Sequence, residues 1–464
     1  MERLTGLDAS FLYTEWPTVH LHTLKIGVID PASAPGGYDF ERFVEVLEER
    51  LHLLPPFRRR IVRVPFGLHH PVWIEDAEFD IRRHVRRVRA PAPGGSRELD
   101  ACIAEVASTP LPRDRPLWEI CVVEGLADGR VGFVTKLHHA AADGVAAARL
   151  LANVMTPSAE ASVAPAEAAP RPWSGEPVPG SRQLLVDALA DLGRLAVALP
   201  GLLVRTLGRL PGVLRARRRT PDRPPAAFAG PATSFSGALT ARRAFASRAL
   251  PLDDLRQVKA FFGVTINDVV LACVAGALRT HLLAGGEPVD RPLVASVPLS
   301  TDAPGTSRLI GNRTSNLMTA LRVDLADPVE RLRATGRLSA SAKAIQEAFG
   351  AETMGQWVDY APPVVFRLIW RRLVPLMRRP PVNAIVSNVA GPREPLFIAG
   401  AELVALQSVG PLLEDVGLNV TVWSYRGSMQ VAVLCCPDTL ADPYVITDGM
   451  NAALAELLAH VGRR

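Results

Sequence analysis

His138 and His139 stand together in VGFVTKLHHAAADGVAAARLL (residues 131–151), with Asp143-Gly144 close behind them. The ordinary pKa of histidine lies nearest neutral pH, so an imidazole held at a backbone turn can stay unprotonated and take a proton from a substrate hydroxyl or amine. A general base is the chemistry this pair suits. Two other readings compete. Paired histidines at a strand end can serve only to hydrogen-bond the chain, and His139 and Asp143, four residues apart, could share a metal ion on one helical face. No nearby Cys or Glu cluster completes a tetrahedral ligand set, so no metal is expected.

The elements that must position the pair follow from residue alternation. Val131, Phe133, Thr135 and Leu137 alternate with Gly132, Val134 and Lys136, which predicts a strand, and Val145 to Val154 has the apolar spacing of a helix. The histidines therefore sit at a strand-to-helix junction. PRDRPLWEICVVEGL (residues 112–126) predicts a second strand, paired with the first across an Asp128-Gly129 turn. LHTLKIGVID (residues 21–30) predicts another strand, and Phe40 to Leu54 has helical spacing. Further on, Thr265 is placed to cap a helix that carries Asn267 in its first turn. Strands are predicted at Leu293 to Leu299, Leu317 to Val323 and Asn383 to Val389, and a hairpin joins Val416–Tyr425 to Ser428–Cys435 around Arg426-Gly427.

A chain of 464 residues, 48% hydrophobic, is long enough for two cores. Residues 156–181 are rich in Ala, Pro, Glu and Ser and predict a linker. After it, Leu184, Leu185, Ala188, Leu189, Leu192, Leu195 and Leu199 form a helical stripe that Leu202, Leu203, Leu207 and Leu210 continue, ending in RARRR. A second Pro-rich passage runs from Thr220 to Gly237. The expected division is thus residues 1–155, a linker over 156–237, and residues 238–464, all of mixed α/β character. A second amphipathic stretch, PPVVFRLIWRRLVPLMRR (residues 362–379), sets Val365, Leu368, Ile369, Leu373 and Met377 apart from Arg367, Arg371 and Arg378.

The formal charge of +5 is too small an excess to call for nucleic acid, but it is compatible with an anionic ligand or a membrane surface. Arginines cluster over residues 58–63 and 82–89, where a solvated basic face is expected and a phosphate site is the alternative. The five cysteines show no zinc spacing or paired framework, which fits a reducing cytoplasm. The N-terminus lacks the apolar core of a signal peptide, and no uninterrupted apolar run reaches about 18 residues, so a spanning helix is not expected.

LTGLDASF, PPFRRR, PLWE, HHAAADG, NDVVLA, GNRTSN and SNVAGP occur in this order along the chain. HHAAADG resembles the HHxxxDG signature of the superfamily of chloramphenicol acetyltransferase, carnitine acyltransferases and peptide-synthetase condensation domains. The series as a whole resembles the bacterial wax ester synthase/diacylglycerol acyltransferase family over nearly the full length. GNRTSN departs from it, with Arg313 and Thr314 where the family more often has glutamine and valine.

The resemblance implies two chloramphenicol-acetyltransferase-like mixed-sheet domains joined by a long helical linker, with the active-site channel between them. It implies His139 as the base, His138 as support for the loop, and Asp143 turned from the imidazole to pair with an arginine. Asn267 is expected to face the channel and to support the base or the acyl oxygen. Gly144, Trp118 and Glu119 are expected against substrate, with Gly144 letting the backbone fold tightly. Acyl-CoA would enter as a substrate with no cofactor. Diacylglycerol or a long-chain alcohol would be the acceptor, met by a cytoplasmic enzyme peripheral to the inner membrane or to lipid inclusions. A condensation-domain-like enzyme with an amine acceptor, and a non-catalytic lipid-body scaffold, are the competing readings. PLWE, NDVVLA and SNVAGP argue against the first, and the intact His139, Asp143 and Asn267 against the second.

Overall fold

The computed structural model of the chain describes residues 1–163, 175–220, 222–303, 306, 308–350, 352–373 and 379–462. Two six-stranded mixed sheets carry it. In the first, the strands lie in the order Phe397–Ile398, Ala401–Val409, His22–Asp30, Val131–His138, Trp118–Glu124 and Val85–Arg89. All its neighbours are antiparallel except the last two, which run parallel. The second runs Thr314–Leu321, Leu293–Ser300, Ala384–Val389, Leu418–Tyr425, Ser428–Cys435 and Ala244–Pro251.

The Val131–His138 strand is the central support of the histidine pair. All eight of its residues are buried, because both faces of the sheet are covered. Phe133 and Leu137 pack with Phe43, Leu47 and Leu150 on one side, while Val134 packs with Ile103 and Val106 on the other. Alternation in this strand therefore separates two cores, not core from solvent. The second sheet is covered by Ile266–Ala284, whose window from Asp268 to Leu278 is buried throughout and packs on the Tyr444–Leu458 helix. By length and composition that helix could cross a membrane; in this fold it is a core helix.

Three differences from the sequence reading matter. The first sheet is not confined to residues 1–155: Phe397–Ile398 and Ala401–Val409 leave the second half and pair beside His22–Asp30. The helix at Phe40 ends at Glu49, and two short 3-10 turns, Leu51–Leu53 and Pro55–Arg58, follow. Finally, Ser181–Arg219 is one helix that runs through Pro200 and Pro211. Its Leu184, Ala188 and Leu202 are buried, with Leu184 against Val72 and Ile74, so part of the leucine stripe packs on the protein. Another face remains exposed, including Val186, Leu189, Val197, Val204, Leu207 and Leu214. In the second amphipathic stretch the helix spans Pro363–Leu373; Met377, Arg378 and the side chains of Arg371 and Leu373 lie outside the described residues.

Candidate active site

The loop His138–Asp143 is docked onto residues 308–313 of the other half. Gly311 N–H donates to Ala141 O at 2.8 Å, and Asp143 N–H donates to Gly311 O at 3.2 Å. Gly311 has φ +77°, and a Cβ there would stand 3.2 Å from an Asp8 carboxylate oxygen, so a side chain would be strained twice over. Asp143 then caps the Gly144–Val154 helix, its Oδ1 accepting from the backbone N–H of Val145 and Ala146 at 3.1 and 2.9 Å. Its Oδ2 accepts from Arg308 Nη2 at 2.6 Å and from Arg313 N–H at 2.8 Å. Asp143 is fully buried, and Arg308 is held in turn by Asp302 at 2.9 Å. Asp143 is thus a tie between loop, helix and second half, and it makes no bond to the His139 ring.

That bond comes from Asn312. Its Oδ1 lies 3.0 Å from His139 Nδ1, while its Nδ2 donates to Asp8 Oδ1 at 2.7 Å and to His139 O at 2.8 Å. Two acceptors around Nδ2 fix which end of the amide faces the ring. Because Oδ1 can only accept, Nδ1 carries the proton and Nε2 is left with its lone pair. Phe11 stacks on the imidazole, ring centroids 4.3 Å apart at 21°. Burial pushes the His139 pKa below the usual histidine value, with Asp143 pulling the other way. The ring is therefore neutral at pH 7 and half-buried, as a base must be.

Asp8, in the Gly6–Tyr13 helix, is bound by Thr5 Oγ1 at 2.7 Å, and its own burial raises its pKa to about 6 despite those bonds. His138 is placed differently from its neighbour. It is fully buried and its pKa is driven well down by desolvation. Its Nδ1 accepts from Ala140 N–H at 3.0 Å, closing the turn, and its Nε2 faces Arg113 at 3.4 Å and Glu15 at 3.9 Å.

The other residues singled out from sequence have contacts of their own. Trp118 is buried between Phe57 and His84, donating Nε1–H to Phe57 O at 2.7 Å, so it braces the sheet. Glu119 lies 2.8 Å from the buried Lys136 ammonium and serves as its counter-ion. Gly144 is the first helical residue and needs no left-handed backbone; a Cβ there would only touch Val389 at 3.8 Å. Asn267 stands half-buried in the first turn of Ile266–Ala284, where Thr265 and Asp268 form the capping box. The arginine clusters are largely matched by surface acids, as in Arg59 with Glu75 and Arg82 with Glu41. Asp8, Phe11, Arg308 and Asn312 were not identified as site residues from sequence, although three of them lie in or beside the LTGLDASF and GNRTSN motifs.

Behind the loop lies a narrow apolar slot, a cavity of about 30 Å³. The inner face of the Gly144–Val154 helix (Ala147, Leu150, Val154) and the sheet residues Phe133 and Leu137 line it, with Lys25 at its polar edge. Lys25 is bonded to Ser408 Oγ at 2.5 Å and lies 4.9 Å from the Trp423 ring centre; burial lowers its pKa to about 8.

Comparison with known proteins matches this arrangement to one family. Residues 4–270 match the wax ester synthase/diacylglycerol acyltransferase catalytic domain, and residues 310–458 match the family's C-terminal domain. A putative diacylglycerol O-acyltransferase of Mycobacterium tuberculosis is 40% identical over 467 residues, 100% of this chain and 97% of its own. A probable diacylglycerol O-acyltransferase of the same organism is 33% identical over 468 residues, with the same shares. Among solved structures, the wax ester synthase/diacylglycerol acyltransferase of Marinobacter aquaeolei VT8 is similar with a TM-score of 0.69 at 25% identity, covering 99% of this chain and 100% of that one. A condensation domain of the CDA synthetase shares the fold, with a TM-score of 0.60 at 18% identity over 99% and 96% of the chains. The loop, its docking residues and the two mixed sheets are those of a chain that belongs to the wax ester synthase/diacylglycerol acyltransferase family.

Proposed function

We propose that this protein moves a long-chain acyl group from acyl-CoA to the hydroxyl of diacylglycerol or of a fatty alcohol, with His139 as general base. The observation that carries the reading is the Asn312–His139 bond, which leaves Nε2 unprotonated at the junction of the two halves. Nε2 takes the hydroxyl proton as the acceptor oxygen attacks the thioester carbon. The tetrahedral intermediate collapses, the carbon–sulfur bond breaks, and the proton passes from Nε2 to the CoA thiolate. No covalent acyl-enzyme is needed. Asn267, at a helix N-terminus, is the proposed donor to the oxyanion.

An acceptor of this kind places the enzyme at a lipid surface, on the cytoplasmic side of the membrane or on a lipid inclusion. The exposed apolar faces of Ser181–Arg219 and Pro363–Leu373 support that placement. The test is release of free thiol from palmitoyl-CoA by the purified protein, given diolein, hexadecanol or a long-chain amine. The proposal expects release with an alcohol, reduced about 10²- to 10⁴-fold in His139→Ala and less in His138→Ala. Release with the amine alone would make it a condensation-type enzyme, and no release with any acceptor would leave a scaffold.

A further inference from the structure

Beyond the catalytic loop, one exposed surface combines a left-handed turn with an apolar helix face. Phe66, in the turn Pro65–Gly67, is 89% exposed and has φ 59°, ψ 4°, a left-handed conformation that a bulky residue rarely adopts. Leu68 follows it at 36% exposure. The Pro363–Leu373 helix abuts this turn: a Cβ on Gly67 would lie 3.0 Å from Arg367 Nη2 and 3.2 Å from Val364 Cγ2. Its inner face packs on the first helix, with Phe366 5.8 Å and the Arg367 guanidinium 5.9 Å from the Tyr13 ring. Its outer face presents Val364, Val365, Leu368 and Ile369, each 46–55% exposed. Turn and helix together make one apolar patch.

Beside the patch lies a second cavity, of about 180 Å³. Val64 and Gly67, at the turn, and Pro363 and Arg367 of the helix line it. Glu15, Arg113 and Leu117 line it as well. There Arg113 is paired with Glu15 and stands 3.4 Å from His138, the neighbour of the base. Arg63, exposed and on the cavity wall, adds positive charge there, and Arg372 is exposed one turn further along the helix. An apolar patch with a cationic rim is complementary to an anionic lipid surface, where acyl chains meet the first and phosphates the second.

We propose that the Phe66 turn and the outer face of Pro363–Leu373 insert into an anionic phospholipid surface, and that the cavity beside them admits the acceptor lipid from that surface to the catalytic loop. The inference rests on the acyl-transfer reading for its second half only. The left-handed turn then has a function, since it holds an aromatic ring outward to enter the acyl-chain region.

The test compares the full chain with Phe66→Ser/Ile369→Ser, two exposed positions outside the catalytic machinery. Sedimentation with phosphatidylglycerol-containing vesicles and with phosphatidylcholine vesicles measures docking. Palmitoyl transfer to diolein in those vesicles, and to water-soluble hexanol, measures delivery. The proposal expects wild type to prefer the anionic vesicles. It also expects the variant to lose about tenfold in both binding and transfer to diolein, while hexanol acylation, acyl-CoA KM and Tm stay unchanged. Unchanged vesicle binding overturns the proposal. So does an equal loss with hexanol or a raised acyl-CoA KM, either of which would assign the cavity to the thioester substrate. A dimer that the double substitution dissociates would assign the patch to a second copy of the chain. If no acceptor supports thiol release, the acyl-transfer reading fails, while vesicle sedimentation still decides the docking surface.

Discussion

Asn312 Oδ1 lies 3.0 Å from His139 Nδ1, joining residues 173 positions apart. A neutral amide here takes the place that a carboxylate fills in many histidine-based sites. It fixes the tautomer without adding negative charge beside the ring. The carboxylate, Asp8, is one residue further back, where it holds the amide and does not touch the imidazole.

Asn312→Ala is expected to lower the single-turnover rate about 10- to 10³-fold with acyl-CoA KM little changed, because the base loses its tautomer and orientation but substrate contacts remain. Asn312→Asp should be no rescue, since it sets a second carboxylate against Asp8. Rapid-quench measurement of thiol release with each variant checks both statements.

Arg308→Ala leaves the buried Asp143 carboxylate without its cation and should cost about 3–5 kcal/mol. Asp143→Ala leaves Arg308 paired with Asp302, but removes the cap from Gly144–Val154 and the bond to Arg313 N–H. Both should lower Tm together with activity. A full-length variant that keeps its Tm in denaturation scans and loses only rate would contradict the tie described here.

Asp8 has a definite pH signature. An acid whose pKa is raised on folding, here from 3.8 to about 6, removes stability as it ionises, so the folded protein loses this contribution as pH rises from about 4 to about 6. Asp8→Asn escapes that loss. Its stability relative to wild type should therefore climb across this window and level off above it, by at most about 3 kcal/mol at about 1.4 kcal/mol per pKa unit. Urea titrations at pH 4.5 and pH 7.5 give the comparison.

On the long helix, Leu184→Ala and Leu202→Ala should each cost about 2–5 kcal/mol, because both side chains are buried. Val197→Ser and Leu207→Ser, 83% and 60% exposed, should change stability by about 0.5 kcal/mol or less. Denaturant midpoints for the four variants separate the packed face from the free one.

Local signals were legible in the sequence. The Trp118–Glu124/Val131–His138 pair, the hairpin turning at Arg426-Gly427 and the cap at Thr265 each depend on residues within a few positions of one another. Motif resemblance brought GNRTSN and LTGLDASF into view, but not the fact that Asn312 and Asp8 meet, because a contact across 304 positions leaves no periodic trace. The contacts of Trp118 and Glu119 escaped the motif for a related reason. A motif marks residues that matter, and bracing a sheet or neutralising Lys136 matters as much as touching substrate.

The strand Ala401–Val409 completes the first sheet from the far end of the chain. A ribosome must therefore deliver nearly nine-tenths of the protein before His22–Asp30 gains its second neighbour. Until then the nascent first half exposes an unpaired strand edge, open to annealing with other chains. Synthesis of this protein is consequently a race between elongation and aggregation, and a stop codon anywhere before residue 401 leaves a fragment with an open sheet.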